Sequence, residues 1–298
     1  MVQLDAHSDE VAFMVQYIMP NGTIKFTTLG SWVPYNIPAH LVRVRNGRGE
    51  YIPGIVASKP PHFMTDTDKR NEVQLSSMVI DIGASSYQEA VRDYHIRIGE
   101  PIVPEVSFSY NEQKDIMMGK AFDCRLGCAA MLDTLGQLKG RELKVDVVAA
   151  FSSQEEVGSR GAAVTVNKVK PDIAIVFEGC PADDSFSESY AIQTALKKGP
   201  MLRHIDAKMI TNPRFQRFAL GLAEKLCIPV QEAVRTGGAT NGDMIHTSNN
   251  GVPVIVIGVP VRYAHTHYGI SSFIDYENAV KLACEVIASL DEDVIKGF

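Results

Sequence analysis

Short and nearly continuous apolar segments recur along the second half of the chain, and segments with a helical spacing of apolar residues separate them. The apolar segments lie at about 145–151, 172–177 and 252–258, and the helical patterns at about 126–138, 211–227 and 276–290. Apolar runs of this length predict strands that are buried on both faces, which is the pattern of parallel sheets. From Gly119 onward, the alternation of strand and helix therefore predicts an α/β domain.

Residues 12–115 have a different character, because short alternating strands are joined there by polar turns. Two hairpins are predicted, one around Asn21-Gly22 and one around 46–49, since such residues between apolar runs favour tight reversals. A further strand, a short helix and a loop are predicted over Met78–Ile82, Ser86–Tyr94 and Pro60–Asn71, respectively. Many short strands favour a small barrel or sandwich. The predicted domains are 1–11 plus 116–298, interrupted by 12–115.

Several predicted strands end at a side chain that can bind a metal ion. Ligands of open α/β sheets bind beyond the carboxyl ends of the strands, so these side chains are expected to converge on one crevice. A further acid, Asp123, precedes the first helical pattern. The candidate ligands are His7, Asp123, Glu156, Glu178 and His265, with His267 as a competitor for the last place.

Two imidazoles and three carboxylates suit zinc, cobalt or manganese. One catalytic zinc ion usually takes three protein ligands, so five candidates predict two ions that share a carboxylate, and Glu155 is left as a general base. Each candidate alone has a plainer interpretation: Glu155-Glu156 as a solvated loop, Asp123 as a helix N-cap, and His265 as an ordinary surface or buried histidine. Their joint placement at strand ends favours a site.

Composition excludes some classes of protein. With 35 acidic and 29 basic residues, the formal net charge is −6, and without a basic cluster a nucleic-acid partner is not expected. No apolar run approaches the roughly 20 residues of a membrane helix, so no membrane partner is expected. The five cysteines are odd in number and lack Cys-x-x-Cys spacing, which predicts reduced thiols and, with no signal peptide at residue 1, a cytoplasmic protein.

Four motifs resemble metallopeptidase family forty-two, the TET and glutamyl aminopeptidases, many of which carry the name cellulase or endoglucanase. The motifs are Asp5–Val11, Lys120–Cys128, Gln154–Ala162 and Val259–His265, and the segments Arg235–His246 and Tyr51–Phe63 are similar as well. The sequence departs from the family at three places: Cys124 and Asn241 stand where many members have Asp, and Thr266-His267 replaces the commoner Ser-Pro.

The resemblance implies two divalent metal ions per subunit, zinc or cobalt, with manganese as a further candidate. It implies that His7 binds one ion and Asp123 bridges both, and that Glu156 and His265 bind the other. Glu178 takes the place of the remaining acidic ligand. Glu155 matches the general base, and Asp9 matches the residue that orients the His7 imidazole.

The resemblance also implies a zinc-exopeptidase-like catalytic domain with a mixed sheet and flanking helices, interrupted by a β-barrel-like domain used in assembly. The expected protein is a homo-oligomer, dimer-based and as large as a dodecamer, that hydrolyses N-terminal residues from short peptides. The alternatives are an amidase or deacylase on a non-peptide substrate and an inactive, truncated assembly subunit. Because family members have leading strands before the first His motif, N-terminal truncation and an exposed sheet edge near His7 are expected. The preferred N-terminal residue, the native metal and the subunit number stay open.

Overall fold

The protein divides into two compact units, each described by itself below. The structure, a computed structural model, describes residues 1–67 and 72–298. The sheet unit comprises Met1–Glu10, Phe108–Ala264 and Tyr268–Phe298, and the barrel unit comprises Val11–Ser107 and His265–His267. In this division the second sheet-unit segment begins at Phe108, whereas the sequence-based boundary is at 116.

The strands and helices follow one another in the order that the sequence alternation suggests. The strands are β1 (Val2–His7), β2 (Ala12–Ile18), β3 (Ile24–Leu29), β4 (Leu41–Arg45), β5 (Tyr51–Val56), β6 (Ile80–Asp81), β7 (Pro101–Pro104), β8 (Ser109–Asn111), β9 (Ile116–Gly119), β10 (Val147–Ser152), β11 (Ile173–Pro181), β12 (Met201–Ile205), β13 (Gln231–Val234), β14 (Val254–Val261) and β15 (Gly269–Ser271). The α-helices are α1 (Tyr87–Arg92), α2 (Phe122–Leu138), α3 (Arg160–Val169), α4 (Pro213–Lys225), α5 (Gly242–His246), α6 (Phe273–Ala288) and α7 (Glu292–Lys296).

The sheet unit is built on a six-stranded sheet in the order β10-β1-β11-β14-β12-β13. Strand β1 pairs in parallel with both β10 and β11, and β11 pairs in parallel with β14. Strand β12 runs antiparallel to β14 and parallel to β13. The predicted mixed sheet of an α/β domain is therefore confirmed, and the four parallel strands β10, β1, β11 and β14 end at the same edge.

Helices cover both faces of this sheet, and the side chains of β11 show how. Ile173, Ile175 and Phe177 belong to a core with residues of α2, α4 and α6. Ala174 and Val176 point the other way, since neighbouring residues of a strand face opposite sides, and belong to a core with residues of α3 and α5. Burial on both faces explains why these strands appear in the sequence as continuous apolar runs.

The barrel unit is a closed barrel in the order β2-β3-β6-β5-β4-β7. The two predicted hairpins are confirmed as the antiparallel pairs β2–β3 and β4–β5. Ser86 caps α1 by accepting a hydrogen bond from the Glu89 amide at 3.2 Å. The predicted strand at Met78–Ile82 is shorter than expected, because only Ile80–Asp81 pair. The predicted loop Pro60–Asn71 contains a 3-10 turn at Pro61–Phe63, and its residues 68–71 lie outside the described residues.

Some elements were not predicted because their patterns are short or polar. Strand β12 contains Arg203 and His204, and β13 has only four residues. Strands β8, β9 and β15 form a separate small sheet. Helix α3, which follows the Glu155-Glu156 motif, was not among the helices predicted from the sequence.

The expected exposed sheet edge is present, but one strand away from the expected position. Strand β1 is fully buried and paired on both sides. Its neighbour β10 is the edge strand of this sheet, and Phe151 there is 46% exposed. Strand β1, which carries His7, is therefore not itself the edge, because β10 and β11 pair with it on both sides.

Two further sequence expectations concern the thiols and the membrane. The five cysteines are unpaired, and four of them are buried. Cytoplasmic location stays a prediction. Across the described ranges, none of the helices has the length and apolar character that crossing a bilayer requires.

Candidate metal centre

The candidate ligands come together where the parallel strands of the sheet unit end. His7 is the last residue of β1, and Glu178 lies in the second half of β11. Glu155 and Glu156 follow the end of β10, and Asp123 lies in the first turn of α2. Parallel pairing of β10, β1 and β11 brings these ends to one edge of the sheet.

The His7 imidazole lies among three carboxylates. Its Nε2 is 3.0 Å from Asp123 Oδ1, 3.4 Å from Glu178 Oε1 and 3.8 Å from Glu155 Oε2. His7 is 1% exposed and Glu178 is 5% exposed. One ligand atom from each of His7, Asp123, Cys124 and Glu178 lies within 4.8 Å of the others, which is a spacing that can hold one metal ion.

Asp123 also lies close to Glu156, the second glutamate of the Glu155-Glu156 pair. A carboxylate oxygen of Asp123 and one of Glu156 lie within 4.8 Å of each other. Asp123 is therefore near both His7 and Glu156, which is the position that a bridging ligand needs.

Asp9 connects the His7 ring to the Glu155-Glu156 loop. The His7 Nδ1 lies 3.2 Å from the Asp9 carbonyl oxygen and 3.3 Å from its Oδ1. The Asp9 carboxylate accepts hydrogen bonds from the backbone amides of Glu155 at 3.1 Å and Glu156 at 3.2 Å. Burial would raise the pKa of Asp9, but the hydrogen bond and charge of His7 and these two amides hold it below its usual range. Asp9 is thus an anion that fixes two parts of the centre.

The loop that carries Glu155 is folded into a tight turn before α3. The amides of Gly158 and Ser159 donate to the Glu155 carbonyl at 2.8 and 2.9 Å. The amide of Gly161 donates to the Ser153 carbonyl, and a Cβ atom at position 161 would lie 2.2 Å from that oxygen. Only glycine allows this close approach, so Gly161 fixes where the loop turns away from β10.

The start of α2 places Asp123 against β11. Asp123 is not an N-cap, because the N-cap position is occupied by Ala121, with a left-handed backbone. A Cβ atom on Gly179 would lie 2.6 Å from the Asp123 Cα. The backbones of β11 and α2 therefore touch at this point, which brings Asp123 close to Glu178.

The electrostatics of the cluster are dominated by buried negative charge. Burial, and then the charge of Glu178, raise the pKa of Glu155, while the charge of His7 opposes the rise. Burial and the charge of Asp123 likewise raise the pKa of Glu178. Burial alone would lower the pKa of His7, but hydrogen bonds with Asp123, Asp9 and Glu178 raise it.

The residues fit a divalent cation. Buried carboxylates are costly unless a positive charge is close, and one imidazole cannot balance Asp123, Glu155 and Glu178. Imidazole and carboxylate are also the donor types that zinc, cobalt and manganese accept.

His265, the last residue of the fourth motif, and the nearby His267 belong to the barrel unit. The His265 Nδ1 lies 3.1 Å from the Ser31 carbonyl oxygen. His267 is 1% exposed, and its ring stacks on that of His40 with a centroid separation of 3.9 Å. Burial, and then the charge of His40, lower the pKa of His267 to about 4. His267 is thus a packing residue of the barrel unit, and His265 as a ligand stays a prediction.

Asn241 and Asp5 form a polar contact under the centre that the sequence did not reveal. Asn241 is 1% exposed and donates from Nδ2 to Asp5 Oδ1 at 2.7 Å and to Ser152 Oγ at 2.5 Å. Burial raises the pKa of Asp5 to about 6, although the hydrogen bonds from Asn241 and Gln3 oppose the rise. Asn241 therefore ties the segment just before α5 to β1 and β10. The sequence signal that could have indicated this contact is Asp5, an ionisable residue among the apolar residues of β1.

Known proteins with the same fold cover almost the whole chain. A TET aminopeptidase from a marine sediment Thaumarchaeota archaeon superposes with a TM-score of 0.95 at 37% identity, over 99% of this chain and 83% of that one. The glutamyl aminopeptidase of Lactococcus lactis is 31% identical over 294 residues, which are 99% of this chain and 82% of the relative. The TET1 peptidase of Pyrococcus horikoshii has a TM-score of 0.86 at 26% identity, over 97% and 84% of the two chains; that peptidase can assemble into a tetrahedron or a large octahedral shell.

These similarities define the class of protein: the chain is an aminopeptidase, a hydrolase that acts on peptide bonds, and the His7 cluster suits the divalent-metal dependence that the class suggests. The model of the M42 glutamyl aminopeptidases matches residues 1–282, and the chain belongs to that family. The resemblance noted from the four sequence motifs is confirmed.

Proposed function

We propose that this aminopeptidase removes N-terminal residues from short peptides by using water activated between two divalent metal ions. One observation carries the proposal: His7, Glu155 and Glu178 at the ends of neighbouring parallel strands meet Asp123 from the start of α2, with His7 Nε2 within 3.0–3.8 Å of all three acids. Three acidic side chains around one buried imidazole carry more negative charge than the imidazole can balance, which favours the binding of a cation.

The ligands divide into two sets that share Asp123. His7, Asp123 and Glu178 would hold one ion, and Asp123, Glu156 and His265 would hold the other. The place of His265 rests on its position after the last apolar run and on the sequence resemblance. Zinc or cobalt is favoured and manganese is the further candidate, because the donors are imidazole nitrogen and carboxylate oxygen.

A bound metal pair would supply a Lewis acid for the scissile carbonyl and would make a water molecule more acidic. Glu155, beside the candidate ligands, would accept a proton as general base and later donate it to the leaving amine. Its backbone is held by Asp9 at 3.1 Å, so the carboxyl stays next to the cluster through both transfers.

Turnover of aminoacyl-anilides tests the activity. The apoprotein is loaded with zinc, cobalt or manganese and assayed on leucyl, lysyl and glutamyl anilides, each with a free amine and with an acetylated amine. We expect metal-dependent release only from the free amines. Equal release from the acetylated anilides would instead support the amidase or deacylase alternative.

Anomalous scattering from crystals of the loaded protein tests the two-ion arrangement. We expect two ions about 3.5–4 Å apart, the usual spacing of paired catalytic metals, with Asp123 in contact with both. A single ion without contact to Asp123 would contradict the arrangement.

We also propose that the protein is a homo-oligomer built from dimers. The support is the assembly of the P. horikoshii TET1 relative into a tetrahedron or an octahedral shell, and a dodecamer is the expected size. Light scattering gives the mass in solution. Replacement of residues 12–107 by a short Gly-Ser linker is expected to leave smaller species if the barrel unit contributes to assembly, and an unchanged mass would exclude that role.

A further inference from the structure

A cysteine thiol lies inside the metal cluster and has no role in the proposed reaction. Cys124 follows Asp123 at the start of α2 and is 0% exposed. Its Sγ is within 4.8 Å of the ligand atoms of His7, Asp123 and Glu178. The thiol donates a hydrogen bond to the Phe177 carbonyl at 3.2 Å, one residue before Glu178. Cys124 is therefore held at the wall of the site by the strand that carries another ligand.

The spacing of the cluster is that of a four-coordinate site. Zinc bonds of about 2.0–2.1 Å to nitrogen and oxygen and about 2.3 Å to sulfur, arranged tetrahedrally, place neighbouring ligand atoms about 3.3–3.6 Å apart. The His7 Nε2 lies 3.0 Å from Asp123 Oδ1 and 3.4 Å from Glu178 Oε1. These two separations are close to the tetrahedral values, and the Cys124 Sγ lies within 4.8 Å of the same three ligand atoms.

We propose that Cys124 is a thiolate ligand of the ion held by His7, Asp123 and Glu178, an inference that rests on the proposed function. On binding, the Sγ–H bond of Cys124 breaks, an Sγ–metal bond forms, and the proton leaves to solvent. No oxidation or reduction takes place. The first ion would then have one nitrogen, one sulfur and two carboxylate donors, and it would take the water of the proposed reaction by expanding from four to five ligands.

A sulfur donor changes which metals the site prefers. Thiolate favours softer ions such as zinc, cobalt and cadmium, whereas sites made only of oxygen favour magnesium and manganese. Cys124 would therefore bias this centre toward zinc and cobalt and against manganese.

Cys128 provides a matched control in the same helix. It is also buried, and its thiol also donates to a backbone carbonyl, that of His7, at 3.2 Å. It is not among the residues that could hold a metal ion in the described part of the chain. Serine at either position keeps a small side chain and a hydroxyl donor, so Cys124→Ser and Cys128→Ser differ mainly in which sulfur is removed.

Absorption spectra of the cobalt-loaded protein test the proposal. We expect the unsubstituted protein to show the visible bands of bound cobalt together with a near-ultraviolet sulfur-to-cobalt charge-transfer band. Cys124→Ser should keep the visible bands and lose the near-ultraviolet band, and Cys128→Ser should keep both.

The outcomes separate this proposal from the proposed function. Visible bands without a near-ultraviolet band in the unsubstituted protein, or a near-ultraviolet band that survives Cys124→Ser, would overturn the thiolate ligand and leave the metal centre standing. Absence of both bands would overturn both.

Metal competition gives a second readout that does not depend on activity. Loss of a partner around a bound metal costs about 10–100-fold in affinity, so we expect the zinc-over-manganese affinity ratio to fall by about tenfold or more in Cys124→Ser. The ratio should not change in Cys128→Ser. Equal ratios in both variants would overturn the proposal.

Discussion

His7 in the sheet unit and His267 in the barrel unit are buried to the same extent, since each is 1% exposed. Their surroundings are opposite. His7 lies among Asp9, Asp123 and Glu178, which raise its pKa, whereas His267 packs on the rings of Trp32 and His40, and its pKa falls to about 4.

The difference shows that burial alone does not mark a functional histidine. Removal from water disfavours the charged form of any imidazole, and the neighbours decide whether that cost is reversed. Around His7 the carboxylates exceed what one imidazole can balance, and this excess makes the region a candidate metal centre. Around His267 the rings are aromatic and the imidazole is a packing group.

The largest expected effect on catalysis comes from Glu155, the acid near His7 that is proposed as general base and not as a metal ligand. Glu155→Gln should lower kcat by about 10²–10⁴-fold, the usual contribution of a general base, and should leave the metal content unchanged. Glu156→Gln should lose metal. Metal content by mass spectrometry, measured beside the rate, decides between the two glutamates. Metal loss in the Glu155 variant and retention in the Glu156 variant would reverse the assignment.

Replacement of each histidine in turn tests the comparison directly. His7→Gln should weaken metal binding by about 100-fold or more, since even the loss of an outer partner costs about 10–100-fold. His267→Phe keeps a ring in the aromatic cluster and should leave metal binding unchanged. Equilibrium dialysis followed by metal analysis measures both. Weaker binding in His267→Phe alone would mean that His267, and not His7, serves the centre.

A smaller effect is expected from the anion behind His7. Asp9→Asn keeps the shape of the side chain but removes the charge that holds Nδ1 of His7 and the amides of Glu155 and Glu156. Metal affinity should fall by about 10–100-fold, as measured by competition with a chromophoric chelator. Asp66→Asn, at an exposed position of the barrel unit, serves as the control, and an equal loss there would contradict a local role for Asp9.

The smallest effect concerns acid stability. Because the pKa of His267 is lowered from 6.5 to about 4, the unfolded chain binds more protons than the folded one within that window, and stability falls as the pH falls. The stabilisation is complete above pH 6.5 and is lost toward pH 4. His267→Phe removes this component, so its melting temperature should fall less than that of the unsubstituted protein between pH 7 and pH 5. His62→Gln, at an exposed position, should behave like the unsubstituted protein.

The fold was predictable wherever burial leaves a periodic mark. Strands β11 and β14 are buried on both faces, so their apolar runs indicated parallel strands, and the ligand-type residues at their ends indicated the crevice. Strand β12 contains Arg203 and pairs antiparallel with β14. Its sequence is not a continuous apolar run, and its direction depends on a pairing that no local pattern specifies.

The site was predictable as a set of residues but not as a geometry. Asp9 was expected only to orient His7, because a backbone hydrogen bond to residues 155 and 156 leaves no trace in sequence spacing. Asn241 was noted only as standing where many family members have Asp, because its buried contacts with Asp5 and Ser152 depend on the path of a loop. His265 and His267 are two residues apart, so the sequence could not show which of them is buried. The packing of the barrel unit shows that it is His267, whose ring stacks on that of His40.

Gly179 gives the centre a feature of interest to protein engineering. The missing side chain at this position is what lets β11 and α2 touch, with the Asp123 Cα 2.6 Å from where a Cβ atom would be. Two candidate ligands on separate elements, Asp123 and Glu178, are thus brought together by a single absent methyl group. Alanine there would meet backbone atoms of α2 and would act as a spacer that forces β11 and α2 apart. Substitution at position 179 would therefore change the distance between two candidate ligands without changing the identity of either.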